Sequence, residues 1–274
     1  MDVYKKISRF YERATVEKRV IGKSLLGRNI YAVKVGDGFP VGIAVYAIHG
    51  REWLTSHLAL EHFRQGVVGS VWLVPLANPD GALLSQKGIG SALGKYGGFL
   101  SAYSGGELRL WKSNARGVDL NVNFDAEWGK GVKNVRRRGA ENYIGEAPFS
   151  EPETRALRDF TLDVSPSYTV SFHTKGEEIY WYFGQSSHTC LRDFTLAQAV
   201  SASTGYPLRQ TVGSVGGYKD WCISALQIPA LTVECGNDAF RHPLGAFAWS
   251  DVKKRCAGAL LALSAAAEKT LKNG

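Results

Sequence analysis

Four short apolar runs shape what this chain can fold into: Val41–His49 (VGIAVYAIH), Val71–Leu76 (VWLVPL), Tyr168–His173 (YTVSFH) and Leu231–Glu234 (LTVE). Each reads as a strand buried on both faces. Helical stretches alternate with them. Glu52–Gln65 carries a stripe of Trp53, Leu54, Leu58 and Phe63, and Gly66 ends it. Ser150-Glu151-Pro152-Glu153 has the form of a capping box opening the helix Thr154–Leu162. Phe194–Ser203 and Asp251–Leu271 read as further helices. Such alternation predicts an α/β fold with a mixed or mostly parallel sheet. In these sheets ligands sit at the carboxyl ends of strands.

Composition removes several alternatives. Apolar residues make up 45% of the 274, too many for a disordered chain. No apolar run is long enough for a transmembrane helix. The N-terminal stretch MDVYKKISRFYERATVEKR lacks the apolar core of a secretory signal, so a cytoplasmic location is expected. The length suits one domain over 1–274 with a full core. The cysteines Cys190, Cys222, Cys235 and Cys256 form no CxxC pair and are expected as buried thiols. Lys and Arg total 33 against 25 Asp and Glu, a formal charge of +8. The one dense basic run, Arg136-Arg137-Arg138, lacks interleaved aromatics and reads as a solvated loop, not a nucleic-acid patch. Two polar, glycine-rich stretches, Gly88–Gly106 and Asp125–Gly145, read as long loops of the kind that carry function. Gly88-Ile89-Gly90 with Gly94 is no dinucleotide fingerprint, because no clean strand precedes it.

Chemistry collects at the strand ends. The first run closes on His49-Gly50-Arg51-Glu52, placing an imidazole and a carboxylate three residues apart at a strand-to-helix turn. YTVSFH ends on His173 and LTVE on Glu234. Two His and one Glu leave a fourth coordination position open, the ligand set of a catalytic zinc site. Glu234 is the candidate general base. A cation must stabilise the developing oxyanion, and Arg51, Lys112 and Arg116 are the candidates. His57, His62, His188 and His242 read as structural or loop residues.

The order GKSLLGR (22–28), HGREW (49–53), NPDG (78–81), GVDLN (117–121), SEPET (150–154), FHTKG (172–176) and TVE (232–234) resembles the zinc carboxypeptidase superfamily, the carboxypeptidase A-like metallopeptidases. The resemblance implies one α/β domain with a mixed eight-stranded sheet between helices. It implies one zinc ion held by His49, Glu52 and His173. It makes Glu234 the group that takes a proton from the attacking water and passes it to the leaving amine. Asp119 matches the carboxylate that hydrogen-bonds a ligating His. The family's oxyanion arginine falls closest to Lys112, with Arg116 as the rival.

Two departures argue against ordinary C-terminal trimming. The family's Asn-Arg pair, which grips a substrate's C-terminal carboxylate, is here Asn121-Val122, and valine cannot make that contact. The substrate-capping Tyr position, eight residues before Asp220-Trp221, is Val212. The stretches WKSNARGVDLN (111–121), HTKGEEIYW (173–181) and GGYKDW (216–221) instead resemble the bacterial γ-D-glutamyl-L-diamino acid peptidases. These cut the bond between D-Glu and meso-diaminopimelate (or Lys) in peptidoglycan stem peptides. For such a substrate, Asn121, Lys175 and Lys219 are candidate partners of its carboxylates. Glu177 and Glu178 are candidates for the diaminopimelate ammonium, and Tyr180, Trp181 and Tyr218 for the cleft walls. The expected partner is therefore a small acidic peptide, with no nucleic acid or membrane involved. The alternatives are a carboxypeptidase of unusual, acidic preference, an amidohydrolase of acylated amino acids, and a catalytically inert peptide-binding module.

Overall fold

The four apolar runs lie side by side at the centre of an eight-stranded mixed sheet, as expected. The computed structural model describes residues 1–92, 97–103, 107–210 and 213–271. The strands are β1 (Lys18–Lys23), β2 (Asn29–Gly36), β3 (Val41–Tyr46), β4 (Ser70–Val74), β5 (Tyr168–His173), β6 (Glu178–Tyr182), β7 (Leu208–Gln210) and β8 (Ala230–Glu234). Their spatial order is β1-β2-β4-β3-β5-β8-β6-β7. β4, β3, β5 and β8 are mutually parallel, and β6 turns antiparallel against β8.

Period-two alternation divides the core between two faces. Ala44, Tyr46, Val170, Phe172, Leu231 and Val233 face one cluster, shared with α2 (Thr55–Gln65), α6 (Ser187–Thr204), α8 (Ala246–Cys256) and α9 (Ala259–Leu271). Ile43, Val45 and Ala230 face the other, shared with α5 (Pro152–Val164) and α7 (Tyr218–Leu226). His173 and Glu234 therefore fall on the second face of their strands. The remaining helices are α1 (Val3–Arg13), α3 (Pro79–Lys87) and α4 (Gly97–Tyr103). No described helix is long and apolar enough to cross a membrane. All four cysteines are free, three of them buried.

Several boundaries differ from expectation for local reasons. The helix expected from Glu52 starts at Thr55, because Gly50–Glu52 forms a separate 3-10 turn. The expected helix Asp251–Leu271 is two helices, broken at Ala257-Gly258, where Gly258 lets the chain pass close to Ser203 of α6. Gly88–Gly106 is not wholly a loop. It holds a 3-10 turn (Ile89–Ala92) and α4, whose Leu100 is buried with Leu84, Trp111 and Ala115. Gly94 lies outside the described residues. Asp125–Gly145 contains no regular element beyond one isolated bridge, Val135 to Tyr143.

The expected capping box is also absent. Glu151 is the N-cap of α5 and makes no side-chain cap bond. Glu153 points inward instead and accepts the Leu25 amide (2.9 Å) and Asn114 Nδ2 (3.2 Å). Burial, and then the nearby Asp80, push its carboxyl up to about 8. Asp80 itself holds Ser24 and Arg28. Three motifs distant in sequence, GKSLLGR, NPDG and SEPET, thus meet in one buried polar cluster. The folded state keeps a proton on Glu153 that the unfolded chain releases near 4.5. Stability is therefore expected to fall as pH rises from about 4.5 to 8, by about 1.4 kcal/mol per pH unit from this group. Urea midpoints of wild type and Glu153→Gln across that range test it. An equally steep fall in the variant would assign the slope elsewhere.

Candidate active site

Register brings two of the chemical groups together. His173 and Glu234 are the last residues of β5 and β8 and are Cα partners across the parallel pair. The His173 carbonyl accepts the Cys235 amide at 2.9 Å, locking the register just past the strand ends. His49 arrives from the neighbouring strand, three residues beyond the end of β3. Its turn is tightly anchored. Asn78 Nδ2 donates to the Ile48 and Ser113 carbonyls (3.0 and 3.2 Å), and the Gly50 amide donates to the Lys112 carbonyl (2.9 Å). A Cβ on Gly50 would lie 2.4 Å from the Gly81 backbone, so only glycine lets the turn seat against α3.

His49 Nδ1 lies 2.8 Å from Glu52 Oε1, and His173 Nδ1 lies 3.0 Å from Glu52 Oε2. The two Nδ1 atoms are 3.1 Å apart. All three side chains are buried. On its other edge, His49 Nε2 faces Asp119 Oδ1 at 3.2 Å. A carboxylate there favours the proton on Nε2 and leaves the Nδ1 lone pair turned toward Glu52 and His173. Two imidazole nitrogens and a carboxylate converging on one point fit a divalent cation, and this trio is the His/Glu group with metal-ligand spacing among the described residues.

Charge around the trio is consistent with that fit. Burial opposes charge on Glu52, but His49 and His173 hold its carboxyl well below the usual range. Asp119 is held well down against burial by Lys112 and His49. Lys112 Nζ sits 3.4 Å from Asp119 Oδ2. Burial opposes its charge too, yet Asp119 and Glu52 raise its pKa, so it stays an ammonium. Two carboxylates against one lysine leave negative charge for a cation to balance. Burial pushes Glu234 up to about 7, with His173 and Lys112 pulling it down and Glu52 and Glu178 pushing it up.

The other candidates are sorted by their partners. Of the three oxyanion candidates, Lys112 is at the site, whereas Arg116 Nη1 turns to Glu151 at 3.5 Å. Arg51 Nη1 lies 3.4 Å from both the Leu110 carbonyl and Glu141 Oε2. Asn121 Oδ1 accepts the Tyr218 amide and so ties the Asp119 turn to the start of α7. Tyr180 and Glu178 flank Glu234 on β6, with Glu178 in direct register with it. Trp181 is buried against Phe194.

Two expectations need correction. Tyr218 is not a cleft wall: it is buried between Phe124 and Trp221, and its hydroxyl pairs with Thr161 at 2.8 Å. Lys219 is not a free cation: its buried ammonium pairs with Asp220 and the Tyr182 carbonyl. Glu177 and Glu178 have partly exposed partners, Asn237 and Arg255 for the first and Arg209 for the second, and such surface pairs can be exchanged. Lys175 pairs with exposed Asp238, across the two loops that follow β5 and β8, an equally exchangeable contact. Val212 lies outside the described residues.

His242 was missed. Among the described residues its Nδ1 is buried without a hydrogen-bond partner, and burial lowers its pKa to about 4, within the fields of Glu52 and Arg51. By contrast His62 is structural, bonded to Tyr46 and the Cys256 carbonyl.

Residues 11–246 match the zinc carboxypeptidase family. The chain belongs to that family. Among zinc carboxypeptidase relatives, it is 28% identical over 253 residues to gamma-D-glutamyl-L-diamino acid endopeptidase 1 of Lysinibacillus sphaericus, covering 83% of this chain but 62% of the relative. The chain thus spans less than two thirds of that relative's length. It is 30% identical over 135 residues to murein peptide amidase A of Escherichia coli (strain K12), covering 45% of this chain and 50% of the relative. The zinc carboxypeptidase fold is also seen in bovine thrombin-activatable fibrinolysis inhibitor in complex with tick carboxypeptidase inhibitor, with a TM-score of 0.78 at 20% identity, covering 100% and 98% of the two chains.

Proposed function

We propose that this protein is a zinc peptidase that hydrolyses the bond between γ-D-Glu and a diamino acid in peptidoglycan stem peptides. The convergence of His49 Nδ1, Glu52 and His173 Nδ1, with Glu234 in register beside them, carries the hydrolytic part of the reading. Val122, in place of a carboxylate-gripping arginine after Asn121, supports the choice of substrate. So do the activities named for the Lysinibacillus and Escherichia relatives.

His49, Glu52 and His173 would hold the ion. Zinc, when bound, supplies a Lewis acid that polarises the scissile carbonyl and makes water more acidic. The chain's own groups do the rest. Glu234 accepts a proton from the attacking water as its oxygen bonds to the carbonyl carbon. Lys112 holds the negative charge that develops on the carbonyl oxygen. Glu234 then returns the proton to the departing nitrogen as the C–N bond breaks. A carboxyl near neutral pKa suits a group that both takes and returns a proton.

Asp119 orients His49 without touching substrate. Asp119→Asn is expected to weaken zinc affinity about 10- to 100-fold, read by competition with a chromophoric chelator. Unchanged affinity would remove Asp119 from the site.

The substrate reading is tested by incubating the zinc-loaded protein with L-Ala-γ-D-Glu-diaminopimelate, with and without D-Ala, beside an α-linked control peptide. Mass spectrometry should find diaminopimelate or diaminopimelyl-D-Ala, lost on chelation. Cleavage of the control alone would favour a carboxypeptidase of ordinary peptides.

A further inference from the structure

We propose that the arginine-lined cleft beside Arg51 is a subsite for an anionic group on the acyl side of the substrate, remote from the scissile bond. The proposal rests on the stem-peptide reading above and adds what such a stem must carry at its N-terminal end.

The cleft has a volume of about 520 Å3 and is lined by Phe99, Arg137, Arg138, Ala140 and Glu141, among others. That is the size of a ligand pocket. One lining residue, Ala140, is bonded to the segment that carries Lys112. The Ala140 carbonyl accepts the amides of Lys112 (2.9 Å) and Ser113 (3.0 Å), and Lys112 carries the ammonium beside Asp119. Glu141 faces Arg51, between the metal-site residues His49 and Glu52. Two lining residues, Ala140 and Glu141, are therefore bonded to residues that neighbour the candidate metal site.

Its charge is unbalanced. The three successive arginines have different surroundings. Arg136 lies over the Trp128 ring, 5.7 Å from its centroid. Arg138 pairs with Glu146 at 3.2 Å, but both side chains are exposed, and such a pair is readily exchanged for another anion. Arg137 has no ion pair or hydrogen bond among the described residues and lines the cleft. The lining carboxylate, Glu141, already answers Arg51. A guanidinium matches a carboxylate or a phosphate with two parallel hydrogen bonds and repels an ammonium.

Strand order gives the direction. Glu141 of the cleft meets Arg51 in the turn that follows β3, while Tyr180 and Glu178 stand on β6, beyond β5 and β8. With the diamino acid on the β6 side, the acyl part runs toward β3 and reaches the arginines beyond D-Glu. A stem ending in a free L-Ala ammonium is then a poor fit. A stem whose L-Ala nitrogen is acylated by an anion-bearing group is a good one.

The test compares kcat/KM of the zinc-loaded protein on L-Ala-γ-D-Glu-diaminopimelate with a free amine, or with an acetyl, succinyl or phosphonoacetyl cap. The anionic caps should exceed acetyl by about tenfold, the factor of one charge-assisted contact. The ratio of succinyl to phosphonoacetyl separates a carboxylate site from a phosphate site. The advantage should shrink in about 0.5 M salt and vanish in an Arg137→Gln/Arg138→Gln double variant that still turns over the acetyl stem at the wild-type rate. Equal kcat/KM for acetyl and anionic caps, or an advantage that survives in the double variant, would overturn the subsite. If no stem is cut, the substrate reading fails instead. Calorimetric binding of succinyl- and acetyl-L-Ala-D-Glu to wild type and double variant then decides the subsite alone, with equal affinities counting against it.

Discussion

Glu234→Gln is expected to lower kcat on stem peptides about 10²- to 10⁴-fold, with one zinc per chain retained. The glutamine is isosteric, keeps the β8 register and leaves His49, Glu52 and His173 untouched. It removes only the ability to accept and return a proton. The loss should fall on kcat, with KM little changed, because the carboxylate acts in the transition state and not in holding the peptide. Zinc content by elemental analysis, beside steady-state kinetics, separates this outcome from a collapsed site. Activity within about tenfold of wild type would mean that another group moves the proton, and the proposed mechanism would fail.

Lys112→Met is expected to lower kcat about 10²- to 10³-fold, the range for removing one preorganised oxyanion donor. Lys112→Arg should restore most of it, since either cation can meet a developing oxyanion. The methionine variant leaves Asp119 with one fewer counter-charge, so its thermal stability and zinc content must be measured alongside. Arg116→Met serves as the comparison, because Arg116 is turned toward Glu151. It should lose little kcat. A larger loss at Arg116 than at Lys112 would reverse the assignment.

Much of this was legible in the chain itself. His49, Glu52, His173 and Glu234 stand at the ends of apolar strands, and strand ends are where the backbone stops dictating which way a side chain points. Period-two alternation then carried His173 and Glu234 to one face. Less legible were residues whose role depends on a distant partner. Tyr218 and Lys219 sit in a motif that suggests a cleft, yet Thr161 and Tyr182 decide where their polar ends go. Glu153 looks like the last residue of a capping box, but Leu25 and Asn114 draw it inward. The outer strands β1, β2, β6 and β7 gave weak apolar signals, because β1 and β7 are the sheet edges and one face of β2 and β6 is only partly covered. His242 and Arg137 lie in loops, where no periodicity points to a neighbour.

The shared rung of β5 and β8 has a wider consequence. The second imidazole, His173, and the proposed general base, Glu234, belong to the same ladder of backbone hydrogen bonds, so their separation does not depend on any loop. The walls that would meet the peptide are a different matter: the loops after β5 and β8, linked by Lys175 and Asp238, and the stretch 137–141. Chemistry and selectivity are thus carried by mechanically separate parts. Exchanging the wall segments between relatives should transplant substrate preference while the hydrolytic step runs unchanged.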